Sequence, residues 1–488
     1  MMAGRERGQA ARVAAMAGVR PMSPIVLRFD QGTLRLDGEL ASGELAWVRE
    51  RGVWAWDGRV GAFRCDALHY ARVRAELEAR FGERFRDEVP PPRRVRWGVV
   101  ALPPLRREQQ EALAAWREAG CRGQIIMPTG TGKTEVALAA MRQSAVATLV
   151  VAPVRDLMYQ WHRRILRGLG YDAGILGDNR CNVKAVTCTT YDSAYIHMGE
   201  LGDRFGLVVF DEEHHLPGPC RREAALMCTA PMRMGLTATP ERSDGRHTDL
   251  AWLVGPAVYR QEVSAARGRT LADYEVVRIP VALTDREQAL YEEYTRLVRT
   301  FIAERRKGKP DYDWQDLCAE SGRDPDARRA QKAYYAKKSI EDRASEKLRV
   351  LEDLFRLHAG ERVMVFAGSN AMAMDVSRRF LVPTLLNHSR KRERLAVLEG
   401  FASGRFPVLV ANQVLDEGVD VPEAKVAVVI GGQASARQAK QRLGRILRRR
   451  GEARAVLYEV VCQDTKEEER SRRRRRSDAY ERTRHRRL

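Results

Sequence analysis

Two glycines and a lysine set the first chemistry this sequence can do. In Met127-Pro128-Thr129-Gly130-Thr131-Gly132-Lys133-Thr134 the glycines let backbone N–H groups face an anion. The N-terminus of the helix expected from Glu135 to Met141 adds its partial positive charge. Lys133 can reach the β- and γ-phosphates of a nucleoside triphosphate, and the Thr134 hydroxyl can hold Mg2+. Met127 stands where the usual pattern opens with glycine. Further along, Asp211-Glu212-Glu213-His214-His215 closes an apolar run, Leu207 to Phe210. There Asp211 offers a second Mg2+ contact, and Glu212 can orient and activate an attacking water. His214 and His215 read as hydrogen-bonding couplers between lobes rather than as a metal site. In Gln441-Arg-Leu-Gly-Arg-Ile-Leu-Arg448 two arginines, Arg445 and Arg448, lie three apart on one helical face. If that face meets the first lobe across a cleft, one or both can act as arginine fingers on the γ-phosphate.

Elements that could position these groups are legible around them. From Leu105 to about Val281, short apolar strands (Gln124 to Met127, Ala147 to Val151, Ala185 to Cys188, Leu207 to Phe210, Met234 to Leu236) alternate with helical patterns. The alternation returns after Glu361 with Val363 to Phe366, Val408 to Ala411, Val426 to Ile430 and Ala455 to Val461. Such alternation predicts α/β architecture, here two tandem parallel-sheet lobes. Ahead of them, Ile25 to Leu36 reads as a hairpin, Trp54 to Phe63 as a second strand pair and Ala67 to Phe85 as a helix, together a small α+β domain. Between the lobes, Leu290, Tyr294, Leu297, Val298, Phe301 and Ile302 recur at helical spacing, and a second helical stretch, Ala327 to His358, is rich in Lys and Arg. The expected divisions are a tail over 1–21, the α+β domain and a Pro-rich linker over 22–97, a first lobe over 98–284, a basic helical insert over 285–345, a second lobe over 346–465 and an Arg-rich tail over 466–488.

Composition agrees with a folded, basic protein. The 488 residues carry 85 Lys and Arg against 65 Asp and Glu, a formal charge of +20, with 44% hydrophobic residues. A surplus of this sign suits a polyanionic partner, since cations that neutralise phosphates release counterions. No apolar run approaches the roughly 18 residues of a membrane span. The eight cysteines form no C-x-x-C pair, which leaves zinc and iron–sulfur sites without ligand spacing. Reduced thiols in a cytoplasmic protein are the expectation.

In order along the chain, these motifs resemble a superfamily 2 helicase, and within it the XPB (xeroderma pigmentosum B) family in its shorter archaeal and bacterial form. Leu105-Arg-Arg-Glu-Gln-Gln-Glu-Ala-Leu113 is similar to the family's opening motif, whose glutamine, here Gln109, would read adenine. Ala152 to Trp161 matches motif Ia, Leu236-Thr-Ala-Thr-Pro240 motif III, Val414 to Pro422 motif V, and Gln441 to Arg448 motif VI. The stretch Trp56 to Tyr70 resembles the family's damage-recognition module.

The resemblance implies two RecA-like lobes, a thumb-like insert, ATP and Mg2+ as cofactors, and 3′-to-5′ movement on DNA during repair. It places Gly418 and Asp420 of motif V near the nucleotide. It makes His214, His215, Thr237, Thr239 and Gln441 couplers of nucleotide state to DNA grip, with Arg155, Gln160, Thr189, Tyr191, Arg242 and Asp244 on DNA. The family's R-E-D loop reads Arg242-Ser243-Asp244 here, which bears on strand separation and not on ATP hydrolysis. The implied setting is the cytoplasm at the nucleoid, as a monomer or a heterodimer with a companion nuclease, on forked or partly single-stranded DNA and with no membrane. Two other readings use the same motifs: an RNA-directed or restriction-type translocase, and a nucleotide-gated DNA clamp with little hydrolysis.

Overall fold

The computed structural model describes residues 23–242, 244–262, 265, 274–386, 388–412, 424–431, 455–474 and 485–487. The chain divides into two compact units, 1–126 with 132–260, and 127–131 with 261–488.

In the first unit the α+β domain comes first. Strands β1 (Ile25–Asp30) and β2 (Thr33–Asp37) are joined by Gln31 and Gly32, both at positive φ (52° and 83°). Such a two-residue turn matches the right-handed twist of the strands it joins. Helix α1 (Ser42–Glu50), strands β3 (Ala55–Asp57) and β4 (Ala62–Asp66), helix α2 (Tyr70–Phe81) and strand β5 (Phe85–Asp87) complete it, with strand order β3-β4-β2-β1-β5. The expected helix through Phe85 stops four residues early, because Gly82 leaves helical geometry at φ 51° and β5 then pairs in parallel with β1. Alternating inward residues, among them Ile25, Leu27, Leu34 and Leu36, pack on Val48, Val73 and Leu77. This domain seats on the lobe that follows: Leu68 joins that lobe's apolar core, and a Cβ on Gly32 would meet Met227.

The lobe itself runs α3 (Arg107–Glu118), β6 (Arg122–Ile126), α4 (Lys133–Ser144), β7 (Thr148–Ala152), α5 (Arg155–Leu169), β8 (Gly174–Gly177), β9 (Arg180–Asn182), β10 (Val186–Thr190), α6 (Tyr191–Leu201), β11 (Leu207–Asp211), α7 (Glu223–Leu226), β12 (Met232–Thr237), α8 (Leu250–Leu253) and β13 (Ala257–Arg260). The order β13-β6-β12-β11-β7-β10-β8-β9 is parallel throughout except for the β8–β9 hairpin at its edge. Strands β7 and β11 are buried along their whole length, as continuous apolar runs in a sheet covered on both faces should be.

The second unit holds β14 (Tyr274–Val281), then helices α9 (Asp285–Gly308), α10 (Trp314–Glu320), α11 (Pro325–Arg343) and α12 (Ser345–Leu357). It continues with β15 (Val363–Ala367), α13 (Asn370–Phe380), β16 (Thr384–Leu385), α14 (Lys391–Ala402), β17 (Val408–Ala411), β18 (Val426–Ile430), β19 (Ala455–Cys462), α15 (Lys466–Arg474) and β20 (His485–Arg487). Its sheet runs β16-β17-β15-β18-β19-β14-β20. Two expected boundaries need correction here. Residues 274–281, assigned to the first lobe, form β14, which pairs with β19 along all eight of its residues. Residues from 466 are no mere tail: α15 buries Glu467 and Ser471 against the second sheet.

The helical insert closes on itself. Thr284 and Glu287 cap α9 reciprocally, the Glu287 carboxylate accepting from Thr284 N at 2.9 Å. The other Glu287 oxygen accepts from Ser345 N and Oγ at 3.0 and 2.9 Å, which ties the insert's last residue to its first turn. Asp313 and Asp324 cap α10 and α11, the latter with Pro325 in its first turn. Beneath the insert lies a buried charged cluster. Lys347 Nζ donates to both Glu467 oxygens (2.8 and 2.9 Å) and to the Glu341 carbonyl (2.6 Å). Arg470 pairs with the Glu341 carboxylate, to which the Tyr291 hydroxyl also donates at 2.8 Å.

Candidate nucleotide site

Side by side in the first sheet, β6, β12 and β11 set Ile126 opposite Thr237 and Leu236 opposite Asp211. The glycine-loop start, the Thr237-Ala238-Thr239 segment and the Asp211-Glu212 pair therefore leave the sheet at the same ends of adjacent strands. In open α/β sheets that edge is where ligands bind. Within the loop, Gly130 and Gly132 take φ of 87° and 82°, and Thr131 Oγ1 donates to the Pro128 carbonyl at 2.7 Å. Helix α4 begins at Lys133 itself, two residues before the start expected from sequence. Gln109 lies buried on α3, its Oε1 accepting from Arg106 N at 2.9 Å and its amide reaching Gly132 O at 3.4 Å. A Cβ at Gly132 would overlap that amide, which gives the glycine a second reason beyond its φ.

Asp211 is the most tightly held side chain of the site. Its Oδ2 accepts from the Trp161 indole N–H at 2.7 Å and its Oδ1 from Glu212 N at 3.1 Å, while its carbonyl accepts from the Tyr191 hydroxyl at 3.0 Å. Burial, and then the adjacent Glu212 carboxylate, raise the Asp211 carboxyl to about 6, against the pull of the indole and of Lys133. Burial likewise lowers Lys133, which Glu212 and Asp211 partly oppose. Glu212 sits at φ 48°, a left-handed conformation that a non-glycine residue adopts at a cost of about 1–3 kcal/mol and that concentrates at functional sites.

Around this pair the couplers interlock. His214 Nδ1 lies 3.0 Å from Thr237 Oγ1 and 3.5 Å from Glu212 Oε2, and Thr237 Oγ1 accepts from Thr239 N at 3.1 Å. Arg221 bridges His215 Nδ1 (3.3 Å) and Asp192 (2.9 Å). Arg242 donates to the His214 carbonyl at 2.6 Å and forms a two-pronged pair with Asp244, whose carboxyl is held well below the usual range by that guanidinium. Glu213 points the other way, fully buried against Gly235, where a Cβ would overlap its Oε2. Among the described residues neither Glu213 oxygen has a hydrogen-bond partner, and burial, then Glu212, raise its carboxyl far above the ordinary value.

Several sequence expectations change. Thr189 and Tyr191 were placed on DNA, yet both are buried: Thr189 donates to the Leu176 carbonyl, and Tyr191 turns inward to Asp211. The cause is position, since Thr189 lies within a fully buried strand and Tyr191 is the first, buried residue of α6. Arg155, which opens α5, is 69% exposed in its side chain and pairs with Asp178 at 2.8 Å. Gln160 is half-buried on the same helix. Gln441, Arg445, Arg448, Gly418, Asp420 and Ser243 lie outside the described residues. Sequence reasoning missed Trp161, Glu213 and Arg221. Trp161 belongs to the buried face of α5 and carries no signal, other than its one N–H, to set it apart from core.

A parallel sheet with a glycine-loop lysine and an Asp-Glu pair at neighbouring strand ends, followed by a second parallel sheet, is the architecture of the two-lobed, RecA-like helicases. The backbone resembles that of "S. cerevisiae Dbp5 bound to RNA and ADP BeF3", with a TM-score of 0.54 at 15% identity over 78% of this chain and 89% of that one. Family models match three segments: the Type III restriction enzyme res subunit over 102–242, the ERCC3/RAD25/XPB C-terminal helicase over 330–478, and the xeroderma pigmentosum group B helicase damage recognition domain over 27–89. The DNA 3′-5′ translocase XPB2 of Sulfurisphaera tokodaii is 38% identical over 424 residues, 86% of this chain and 95% of that protein. The DNA 3′-5′ helicase XPB of Kineococcus radiotolerans is 30% identical over 75% of this chain and 61% of its own length. The chain belongs to the XPB family of superfamily 2 helicases.

Proposed function

We propose that this protein is an ATP-dependent DNA helicase or translocase that moves 3′-to-5′ and opens DNA during repair. The observation that carries the reading is the joining, at one end of the sheet, of Lys133 with the buried Asp211 and its half-buried neighbour Glu212, in a chain whose relatives are named for 3′-5′ movement on DNA. Lys133 binds the β- and γ-phosphates, and Glu212 orients the attacking water. His214, Thr237 and Thr239 pass the state of that site to the DNA-gripping segments, with Arg155 and Gln160 among the contacts.

Mg2+ fits this donor set. Asp211 is a buried carboxylate beside a second acid, and its proton affinity is raised although Lys133 lies near, so a divalent cation would supply charge that the lysine alone does not. Asp211 and Thr134 would hold it, and once bound it offsets charge that develops on the phosphates. Arg445, Arg448, Gln441, Gly418 and Asp420 keep, as proposals, the roles that the family resemblance gives them. Forked or partly single-stranded DNA, a companion nuclease and a nucleoid setting belong to the same proposal. No helix among the described residues is long and apolar enough to cross a membrane.

Lys133→Ala and Glu212→Gln should each lower DNA-stimulated phosphate release by about 10²–10⁴-fold while thermal unfolding stays cooperative. Full turnover by Glu212→Gln would remove the assigned base. Comparing stimulation by forked DNA, duplex DNA and RNA separates this reading from an RNA-directed motor. Absence of phosphate release in the wild type would leave only the clamp.

A further inference from the structure

The two tryptophans of the first lobe that bury their indole N–H use it differently. Trp116 on α3 donates to a backbone carbonyl, that of Arg233, at 2.8 Å. That is the ordinary way to satisfy a lone donor in a core. Trp161 instead donates at 2.7 Å to Oδ2 of Asp211, a carboxylate proposed above to hold the metal. The helix that carries it, α5, is two-faced: Met158, Trp161 and Ile165 are buried, whereas Arg155 at its first turn faces solvent. A second helix repeats the arrangement. The first residue of α6, Tyr191, donates to the Asp211 carbonyl, and the next, Asp192, is exposed and held by Arg221, which also reaches His215. The side chain of Asp211 is thus fixed from the middle of one helix, and its backbone from the first residue of another, each helix having exposed residues on its other side.

We infer that Trp161, with Tyr191 as its companion on the Asp211 backbone, is the positioning residue that links DNA held at the start of α5 to the affinity of Asp211 for the metal–nucleotide pair. An α-helix moves as a rod, and Trp161 lies six residues from Arg155, about 9 Å along it. A phosphate gripped at the first turn therefore reorients the indole without contact between DNA and the metal. The indole only donates, so it favours the ionised carboxylate and aims it, holding Oδ2 while Oδ1, which accepts from Glu212 N, keeps its second lone pair. Coupling of this kind is reciprocal: whatever factor DNA adds to metal–nucleotide affinity, metal–nucleotide adds to DNA affinity. The inference rests on the proposed function.

The test uses the full chain and two binding measurements. Fluorescence anisotropy of a labelled forked DNA gives Kd without nucleotide, and again with Mn2+ and a non-hydrolysable ATP analogue. Electron paramagnetic resonance of free Mn2+, with the same ATP analogue present, gives the affinity for the metal–nucleotide pair with and without DNA, after subtraction of Mn2+ bound by DNA alone. The wild type should show the same factor both ways, of about 5–150-fold. Trp161→Phe should keep the nucleotide-free DNA Kd within about twofold while that factor falls towards one. Should Trp161→Phe fail to fold, Tyr191→Phe removes a single hydroxyl and should lower the factor in the same sense. Retention of the wild-type factor by the folded variant, or a lowered Tm with the factor intact, would show a packing role only and overturn the inference. A wild type that binds DNA with no dependence on metal and nucleotide also overturns it, with the proposed function still standing. A wild type that binds no DNA removes that function, and the inference with it.

Discussion

The two lobes both bury charge, but they treat it in opposite ways. In the second, Lys347 meets three oxygen acceptors, Glu341 is taken up by Tyr291 and Arg470, and Glu467 also accepts from Cys462 N at 2.9 Å. In the first, Asp211 and Glu212 stand together with Asp211 raised to about 6, and both oxygens of Glu213 and the Thr239 hydroxyl lack partners among the described residues. A buried ionic group persists only if something compensates it. The second cluster pairs the charges of Lys347, Glu467 and Glu341 within the fold, although Asp342 Oδ1 and Arg470 Nε beside them lack partners among the described residues, so it reads as structure. The first leaves part of its compensation to a ligand, so it reads as a site.

Breaking the closed cluster should give the largest effect. Lys347→Met leaves Glu467 buried without its cation and should lower stability by about 3–5 kcal/mol, measured by denaturant unfolding. A loss under about 1 kcal/mol would mean that water reaches the pair. Gly235→Ala tests the open cluster by crowding. Its methyl must displace Glu213, at a cost of about 1–3 kcal/mol, and Glu213→Ala in the same chain should recover part of it.

Asp211→Asn sharpens the comparison by its sign. The folded Asp211 carboxyl, at about 6, lies above its ordinary 3.8, so the native state holds more protons than the unfolded chain between those values. Ionisation therefore destabilises the nucleotide-free protein, with the penalty absent below about pH 4 and complete above about pH 6. Asp211→Asn should raise Tm at pH 7, by roughly 1–3 kcal/mol of stability, and the gain should vanish near pH 4 while ATP hydrolysis is lost at every pH. A destabilised Asp211→Asn at pH 7 would contradict the uncompensated charge. The smallest change is expected of Glu213→Gln, about 0.5 kcal/mol or less, because the amide keeps the size of a carboxyl whose ionisation burial disfavours.

How far the sequence carried the reading depends on distance along the chain. Strands such as Val408–Ala411 and Val426–Ile430 were legible to the residue, since runs buried on both faces leave little ambiguity. Lys133, Asp211 and Glu212 were legible because their chemistry needs fixed neighbours on short segments. The Trp161–Asp211 bond spans fifty positions, and an apolar stripe gives no sign of which buried ring aims its N–H at an acid. Tyr191 was misread for the same reason: a Thr-Thr-Tyr run looks polar until the strand before it proves to be central. The β8–β9 hairpin escaped because its four- and three-residue strands straddle Asp178 and Asn179, two left-handed non-glycine residues.

Strand β14 has a practical consequence. It precedes the helical insert in the chain yet lies between β19 and β20 in the second sheet. An excised second lobe that starts at 346, or at 330 where the C-terminal family match begins, would leave one flank of β19 bare along eight residues, a template for intermolecular pairing. A fragment meant to stay dispersed in solution needs to start ahead of Tyr274, and so must bring the whole insert with it.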